Sequence, residues 1–316
     1  MTLNPVPIAT TGATHTAQQF RMMIRDLARN NQGITTGLDL KVTALGTPGA
    51  GVQISAGSAV IAGAVSPIQG HYSAYNIGPD TVSISAAGGT PRSDMLVLRV
   101  EDPDYEGTRD PAVDPIVFWE VVPNVGSSAT TVPSGYSAIP LARIDIPAST
   151  GTITNAMIKD LRKVANPRRE RVPYPYYVTG SLTEISGTTA IWKFFPELTL
   201  ATVPVPAWAA KAQVIFSVNG LRLSTGNVFG AFRFALGPIE AVQSVYIDDN
   251  GGTGVRRVNV TMAETIDLST TAGAAIRGTN QAVQARMRTD PLNSGKIGVD
   301  SSTTFIADIE FLEGAL

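Results

Sequence analysis

The most constraining feature of this sequence is a series of short apolar runs with a period of two residues, each bounded by glycine, proline, aspartate or serine. About seven such runs lie between residues 38 and 146, and more follow in the second half of the chain. The 30 glycines and 21 prolines supply the turns between them. Alternation at this density is typical of antiparallel sandwiches or barrels and not of βαβ units. The sequence therefore predicts a mainly β protein.

One clear helical pattern precedes the strands. Apolar residues repeat at spacings of three and four, which predicts an amphipathic helix near residues 17–31. Thr16 and Gln19 fit a capping box, and Gly33 is the predicted helix-ending glycine. The opposite face carries three arginines at four-residue intervals, which are Arg21, Arg25 and Arg29. A solvated helix surface is the ordinary interpretation, and a docking stripe for an acidic partner is the sharper hypothesis.

The chain divides at a proline-rich segment. Residues 1–165 form the first predicted β-rich domain, residues 166–180 a semi-rigid linker, and residues 181–316 a second, jelly-roll-like β-sandwich. The linker contains residues that we expect either to be solvated or to lie as a strap on a neighbouring subunit, namely Arg168, Arg169, Arg171, Tyr174, Tyr176 and Tyr177. Within the second domain, Asn219-Gly220 predicts a hairpin turn. The predicted fold is thus two β-sandwich-like domains with one N-terminal helix and a Pro-rich linker.

Composition and motifs exclude several classes of function. The chain has no cysteine and only two histidines, His15 and His71, which excludes thiolate sites and leaves little for a zinc or His-based catalytic centre. Phosphate-binding loops, zinc-protease helices and nucleophile elbows do not occur in the sequence. The net charge of −2 lacks the basic excess of a nucleic-acid-binding protein. With no membrane span or signal peptide in the pattern, we expect synthesis in a cytoplasm, no cofactor and no enzymatic activity.

Two weaker candidate sites remain. The acidic loop that begins at Glu101 contains Asp102, Asp104 and Glu106, whose carboxylates suit a calcium ion or the acid–base pair of a glycosidase. A solvated loop is the ordinary interpretation of such a cluster. Trp192 and Trp208 are candidates for stacking on a sugar ring, although core packing is the more common role of a tryptophan beside a strand.

The first half of the chain resembles a known family in its strand sequences. The segments that carry the resemblance are Gly37-Leu-Asp-Leu-Lys-Val, Val52-Gln-Ile-Ser-Ala-Gly-Ser-Ala-Val-Ile, Pro91-Arg-Ser-Asp-Met-Leu-Val-Leu-Arg-Val, Ile139-Pro-Leu-Ala-Arg-Ile-Asp-Ile-Pro and Ile153-Thr-Asn-Ala-Met-Ile-Lys-Asp-Leu-Arg. They are similar to minor tail and baseplate proteins of long-tailed, siphovirus-type bacteriophages, in particular to the adaptor domain of baseplate upper proteins. In the second half, Pro204-Val-Pro-Ala-Trp-Ala resembles the small β-sandwich domains found at the C-termini of such tail proteins.

The resemblance implies a structural virion component at the tail tip that assembles with the distal tail protein, the hub or fibres, as a homotrimer. It implies that the first domain docks through its helix and neighbouring loops, while the second faces a partner or the host surface. The charged fraction of only 16% fits surfaces buried between subunits, because interface cores are depleted in charge. Two alternatives stay open: a receptor-binding protein that recognises host cell-wall polysaccharide, and a polysaccharide-degrading enzyme that uses the acidic loop.

Overall fold

The computed structural model describes residues 7–188 and 190–316. The chain forms two compact units, each with its own apolar core. The first unit takes the described residues up to Pro167 together with Gly314–Leu316, and the second unit is Arg168–Glu313. The chain therefore passes from one unit to the other twice, and the second unit is inserted in sequence within the first.

The first unit combines a helix with short, antiparallel strands. Its helix α1 spans Ala17–Leu27, and a 3-10 turn spans Asn155–Met157. The strands are β1 (Gly33–Ile34), β2 (Val42–Ala44), β3 (Gly51–Ile54), β4 (Gly57–Ala62), β5 (His71–Asn76), β6 (Asp80–Ser83), β7 (Arg92–Val100), β8 (Val117–Val125), β9 (Ala138–Ile146) and β10 (Ile158–Asp160). They form sheets in the orders β1-β4-β5, β2-β3-β6 and β10-β9-β7-β8. Alternate residues from these sheets share one aliphatic core.

The start of α1 follows the predicted capping box, and its end comes earlier than predicted. The Thr16 hydroxyl accepts from the Gln19 N–H at 3.2 Å, while the Gln19 side chain accepts from the Thr16 N–H at 2.8 Å. The helix ends at Leu27 and not near residue 31. Arg29 and Asn30 adopt left-handed backbone angles, with φ of 52° and 61°, and a left-handed backbone stops a helix.

Gly33 belongs to β1 and does not end the helix, which corrects the prediction. Its φ is +145°, and a Cβ at this position would lie 2.0 Å from the carbonyl oxygen of Lys163. The next residue, Ile34, donates its N–H to that same carbonyl at 2.8 Å. Glycine is therefore required here by close backbone approach.

The second unit is a sandwich of two antiparallel sheets with an aromatic core. Its elements are β11 (Arg169–Tyr177), β12 (Thr183–Ile185), β13 (Lys193–Phe194), β14 (Ala201–Pro204), β15 (Ala209–Ser224), β16 (Val228–Leu236), β17 (Ile239–Glu240), β18 (Val245–Asp249), β19 (Arg256–Asp267), α2 (Thr271–Ile276), β20 (Asn280–Thr289), β21 (Lys296–Val299) and β22 (Thr304–Glu313). One sheet has the order β11-β22-β15-β21-β12 with β19 beside β15. The other has the order β13-β20-β16-β17, with β14 beside β20 and β18 beside β16. In the core, the ring of Phe216 stacks on Phe232 and Phe234 at centroid distances of 5.5 and 5.6 Å.

Residues 169–177, predicted as part of a linker, form the edge strand β11, which pairs with β22 over its full length. The N–H of Val178 donates to the carbonyl of Thr303, so alternate positions of β11 face β22. Pro173 and Pro175 occupy the intervening positions, where an N–H would point away from the sheet. Proline is tolerated there because no ladder hydrogen bond is lost, and it protects the free edge from pairing with another strand.

Asn219 and Gly220, predicted as a hairpin turn, lie inside the continuous strand β15. The register with β19 shifts between Val218 and Leu221, and Gly220 has a φ of +74°. A Cβ on Gly220 would lie 2.3 Å from the carbonyl oxygen of Ser302. The pair therefore forms a β-bulge, which requires the same positive φ as a tight turn and so carries the same sequence signal.

Candidate functional site

Arg21, the first arginine of the predicted docking stripe, is enclosed by the first unit. Its side chain is 11% exposed, and its guanidinium lies 3.2 Å from the carboxylate of Asp102. Its Nε donates to the carbonyl of Gln69 at 2.8 Å, and its Nη2 donates to the hydroxyl of Tyr105 at 3.1 Å. These contacts fasten α1 to the acidic loop, because either charge would be left poorly solvated without the other.

Arg25 and Arg29 do not extend Arg21 into a stripe. Arg25 is half-exposed and lies 3.4 Å from the carboxylate of its neighbour Asp26. Arg29 is exposed and lies beyond the end of α1. The predicted basic stripe is therefore not one surface, because Arg21 is buried and the backbone at Arg29 has left the helical path.

The carboxylates of the acidic loop are engaged with other side chains of the same unit. Asp102 is buried and accepts a hydrogen bond from the Tyr72 hydroxyl at 2.7 Å, in addition to its ion pair. Glu106 lies 3.4 Å from Arg99, whereas Asp104 is exposed. Burial and the bond to Asp102 raise the pKa of Tyr72 well above its ordinary value, so its hydroxyl remains a donor.

This arrangement fits neither use that the sequence suggested for the acidic loop. Asp102 and Glu106 each face a guanidinium, and the exposed carboxylate of Asp104 lies 4.0 Å from the guanidinium of Arg21. Among residues 7–188 and 190–316, no cluster of three or more acidic or histidine side chains is placed to hold a metal ion. The loop is fastened by arginines of its own unit.

The arginines of the predicted linker also face carboxylates within their own unit. All three lie at or beside β11 and pair with residues of β22: Arg168 with Glu313 at 2.7 Å, Arg169 with Glu310 at 3.7 Å and Arg171 with Asp308 at 2.9 Å. Cross-strand pairs of opposite charge stabilise neighbouring strands. These side chains therefore fix β11 to its sheet.

Two of the linker tyrosines and Trp208 contribute to the core of the second unit. Tyr174, Tyr176 and Trp208 are partly buried and pack against the phenylalanine-rich core. The guanidinium of Arg168 lies 4.9 Å from the centroid of the Trp208 ring. Tyr177 is exposed at the end of β11. Trp208 is thus placed as a core residue and not as a platform for a sugar.

Trp192 has a different setting, beside a cluster of arginines on the outer face of the sheet that contains β16 and β20. Phe232, Phe234 and Met287 point into the core, so the residues between them project from the opposite face. We call this surface the arginine–aromatic face and define it by Trp192, Phe194, Arg233, Glu240, Tyr246, Arg286 and Arg288.

Strand register places two arginines side by side on the arginine–aromatic face. Arg233 of β16 is directly opposite Arg286 of β20, and Phe194 of β13 lies opposite Arg286 on the other side. Both guanidinium groups are ion-paired with one carboxylate, that of Glu240 in β17. Arg286 also lies 4.6 Å from the centroid of the Phe194 ring. Two cations that share one carboxylate leave part of the positive charge uncompensated, and like charges directly opposite destabilise a sheet.

Arg288, the third arginine of the face, lies two residues beyond Arg286 in β20 and on the same side of the sheet. Ala231 stands between Arg288 and Tyr246 in the register, and its short side chain lets Arg288 Nη2 donate to the Tyr246 hydroxyl at 2.8 Å. The ion pair of Arg288 with Asp290 is long, at 3.7 Å. Its guanidinium also lies 5.2 Å from the centroid of the Trp192 ring, within the range of a cation–π interaction.

The electrostatics of these arginines show that their charges are poorly balanced. Burial and the charge of Arg288 lower the pKa of Arg233, and burial and the charge of Arg233 lower the pKa of Arg286. The Nε atoms of all three arginines are buried and find no hydrogen-bond partner among the described residues. The Trp192 ring, 4.2 Å from the Arg233 guanidinium, supplies a π contact there. An added negative charge would therefore be favoured on this face.

The sequence marks Trp192 as a candidate but gives no direct sign of the arginines around it. The patterns Phe232-Arg-Phe234 and Arg286-Met-Arg288 place arginines between core residues of a strand, which predicts that they point outward. Their meeting depends on the register between β16 and β20, which are far apart in sequence. No local pattern specifies that register.

The apolar side of α1 is left partly open. Phe20 is 48% exposed and Leu27 is 71% exposed, and no residue of the helix is fully buried. A groove of about 290 Å³ lies beside Ile24 and Leu27 and reaches Val60. A group of exposed apolar side chains marks a contact surface. The exposed side of α1 beside this groove is thus apolar.

Comparisons with known proteins give no family for the chain. No family model matches, and no curated protein matches. Solved structures with similarity include infectious bursal disease virus of the Gx strain, at 11% identity over 90% of this chain and 75% of that chain, with a TM-score of 0.25. The VP2 subviral particle of infectious bursal disease virus matches at 11% identity over 93% of this chain and 82% of that chain, with a TM-score of 0.26.

The helices of the described residues are short. They contain 11 and 6 residues, and neither is long and apolar enough to cross a membrane. A bilayer core requires about 20 apolar residues in one helix.

Proposed function

We propose that this chain is a structural, non-enzymatic component of a bacteriophage tail tip or baseplate. The resemblance of residues 1–165 to tail-adaptor domains supports this proposal, and the open apolar side of α1 carries it. The first unit docks on the distal tail protein or hub through that side of α1. The second unit presents its outer faces to fibres, other tail proteins or the host surface.

The geometry of α1 explains why docking is the better interpretation of its exposed residues. The ion pair of Arg21 with Asp102 attaches α1 to the acidic loop of its own unit. The exposed side chains of Phe20 and Leu27 are therefore not required for that attachment. An amphipathic helix ordinarily buries its apolar stripe. Burying Phe20 and Leu27 against a partner would contribute about 1.5–3 kcal/mol for each fully covered side chain.

The test replaces both exposed apolar residues, as Phe20→Glu with Leu27→Glu. We expect the double variant to fold, because the contacts of Arg21 are untouched, and to lose co-sedimentation with tail particles, because two charges would be buried in the interface. Arg29→Glu is the matched control, since Arg29 is exposed beside the helix end. Attachment by the double variant at the level of the control would refute docking through α1.

We further propose that the chain assembles as a homotrimer, as the resemblance to tail proteins implies. The mass of the assembly in solution, measured by light scattering, is then three times that of one chain. A strictly monomeric chain that does not associate with tails would contradict both this state and the tail-tip role.

A receptor-binding protein for host cell-wall polysaccharide is the second candidate. It is favoured by the exposed ring of Tyr246 on the arginine–aromatic face. Binding of the full chain to cell-wall polysaccharide, and its loss on Tyr246→Ala, would support this function. A catalytic role for the acidic loop is not proposed, because Asp102 and Glu106 are engaged by Arg21 and Arg99.

A further inference from the structure

We infer that the arginine–aromatic face binds an acidic segment of a partner protein, whose carboxylates complete the charge balance of Arg233, Arg286 and Arg288. This inference goes beyond the docking of α1, because it concerns the second unit alone. Binding at this face can fail while tail attachment persists, and the reverse also holds, so the two proposals fail separately.

The balance of charge on the face argues for an anionic partner. Arg233 and Arg286 share Glu240, and the contact of Arg288 with Asp290 is long. The other charged residues that line the neighbouring groove of about 500 Å³ are Lys193 and Glu197, whose charges cancel. Among these groups, the positive charges of Arg233, Arg286 and Arg288 outnumber the carboxylates of Glu240 and Asp290 by one.

The three arginines are partly excluded from water, which strengthens their interaction with an anion. They are still exposed enough for an external carboxylate to reach them. Their side chains are 19%, 16% and 22% exposed for Arg233, Arg286 and Arg288. Guanidinium groups form charge-assisted, often bidentate hydrogen bonds with carboxylates. Such bonds gain strength where water is partly excluded.

The aromatic residues favour a protein segment over a sugar. Trp192 and Phe194 each have a guanidinium within cation–π distance of the ring, so they hold the arginines in position and are less available as stacking platforms. Arginine together with tryptophan and tyrosine is also the combination enriched at the centres of protein interfaces. The face thus presents guanidinium edges flanked by the exposed ring of Tyr246.

Glu240 allows a direct test, because its carboxylate competes with any external carboxylate for Arg233 and Arg286. Glu240→Gln removes the negative charge that Arg233 and Arg286 share and keeps the shape of the side chain. If an external carboxylate binds here, this variant must bind it more tightly. Arg286→Gln and Arg288→Gln remove donors and must bind it more weakly.

The experiment titrates the full chain with a fluorescent peptide of glutamates at low salt, beside a glutamine peptide and a galacturonate oligomer of matched length. We expect the glutamate peptide to bind best and to weaken as salt rises, Arg286→Gln and Arg288→Gln to reduce affinity about tenfold, and Glu240→Gln to increase it. Arg257→Gln is the matched control, since Arg257 is ion-paired to Asp300 on the other sheet of the same unit.

Each contrary result has a defined meaning. Equal binding of the glutamine peptide, loss of affinity in Glu240→Gln with an unchanged melting temperature, or no binding at all would overturn the inference. Tighter binding of the galacturonate oligomer would also overturn it and would favour an acidic polysaccharide as the ligand. An equal loss in Arg257→Gln would show that the attraction is not specific to this face.

Discussion

The two units of this protein place their charged groups differently. The first unit encloses polar side chains: Arg21 meets Asp102 beneath α1, and the fully buried side chain of Arg162 donates to the carbonyls of Asp39 and Leu316 at 2.6 and 3.1 Å. The second unit has a core of stacked phenylalanines and keeps its arginines on the outer faces of its sheets. Directional polar contacts thus position the helix and loops of the first unit, whereas apolar packing of phenylalanines holds the second.

The largest loss of stability confined to one unit is expected from Phe216→Ala. Phe216 is fully buried and stacks on two other phenylalanines, so its removal leaves a cavity and should cost about 4 kcal/mol. Hydrogen exchange of the full chain should show lost protection in residues 168–313 with protection kept in the first unit. Ile215→Ala, on the same strand but facing outward, is the control and should cost far less. Equal loss of protection in both units would contradict the separation of the cores.

A slightly smaller effect is expected from Arg21→Met, which breaks a buried ion pair in the first unit. The uncompensated carboxylate of Asp102 should lower the free energy of unfolding by about 3 kcal/mol and release α1 from the acidic loop. Urea unfolding followed by the indole NMR signal of Trp119 reports on this unit. The control is Arg25→Met on the same helix. If the two variants were equally stable, the ion pair would not be what holds α1.

The smallest expected effect is a difference between the units in how the free energy of unfolding depends on pH. Both histidines lie in the first unit, and burial lowers the pKa of His71 below its ordinary value of 6.5. Below that value the unfolded chain takes up a proton that the folded unit does not, so the first unit loses stability as the pH falls through about 6.5 towards the folded-state pKa. Between about pH 7.5 and about pH 5.5 the second unit, which has no histidine, should change little.

The check is urea unfolding across this pH range, with the indole signal of Trp119 for the first unit and that of Trp208 for the second. His71→Gln should remove most of the slope seen at Trp119, whereas His15→Gln should keep it. A slope of equal size at Trp208, or one that survives His71→Gln, would mean that another group sets the acid sensitivity.

The features that sequence predicted correctly depend on neighbours along the chain. The capping box of Thr16 and Gln19 involves residues three apart, and the alternation that predicted a mainly β fold is likewise local. The mistaken linker and hairpin show that the same residue types serve two structures. Prolines suit both a linker and the free edge of β11, and Asn219-Gly220 suits both a turn and a bulge.

The features that sequence could not predict depend on residues far apart in the chain. Arg21 is enclosed because Asp102, which follows the end of β7, forms an ion pair with it. Its place in a four-residue spacing of arginines therefore wrongly predicted a solvent-facing stripe. The arginine–aromatic face likewise exists because the register sets Arg233 opposite Arg286. Long-range register of this kind is fixed by packing of the whole sandwich and has no local signal.

The most direct test of the proposed tail-tip role is a density map of a tail tip from a phage that encodes this sequence. Our account predicts that the chain is present, with Phe20 and Leu27 of α1 covered by another tail protein. A tail tip that lacks the chain, or one in which those two residues face solvent, would contradict it.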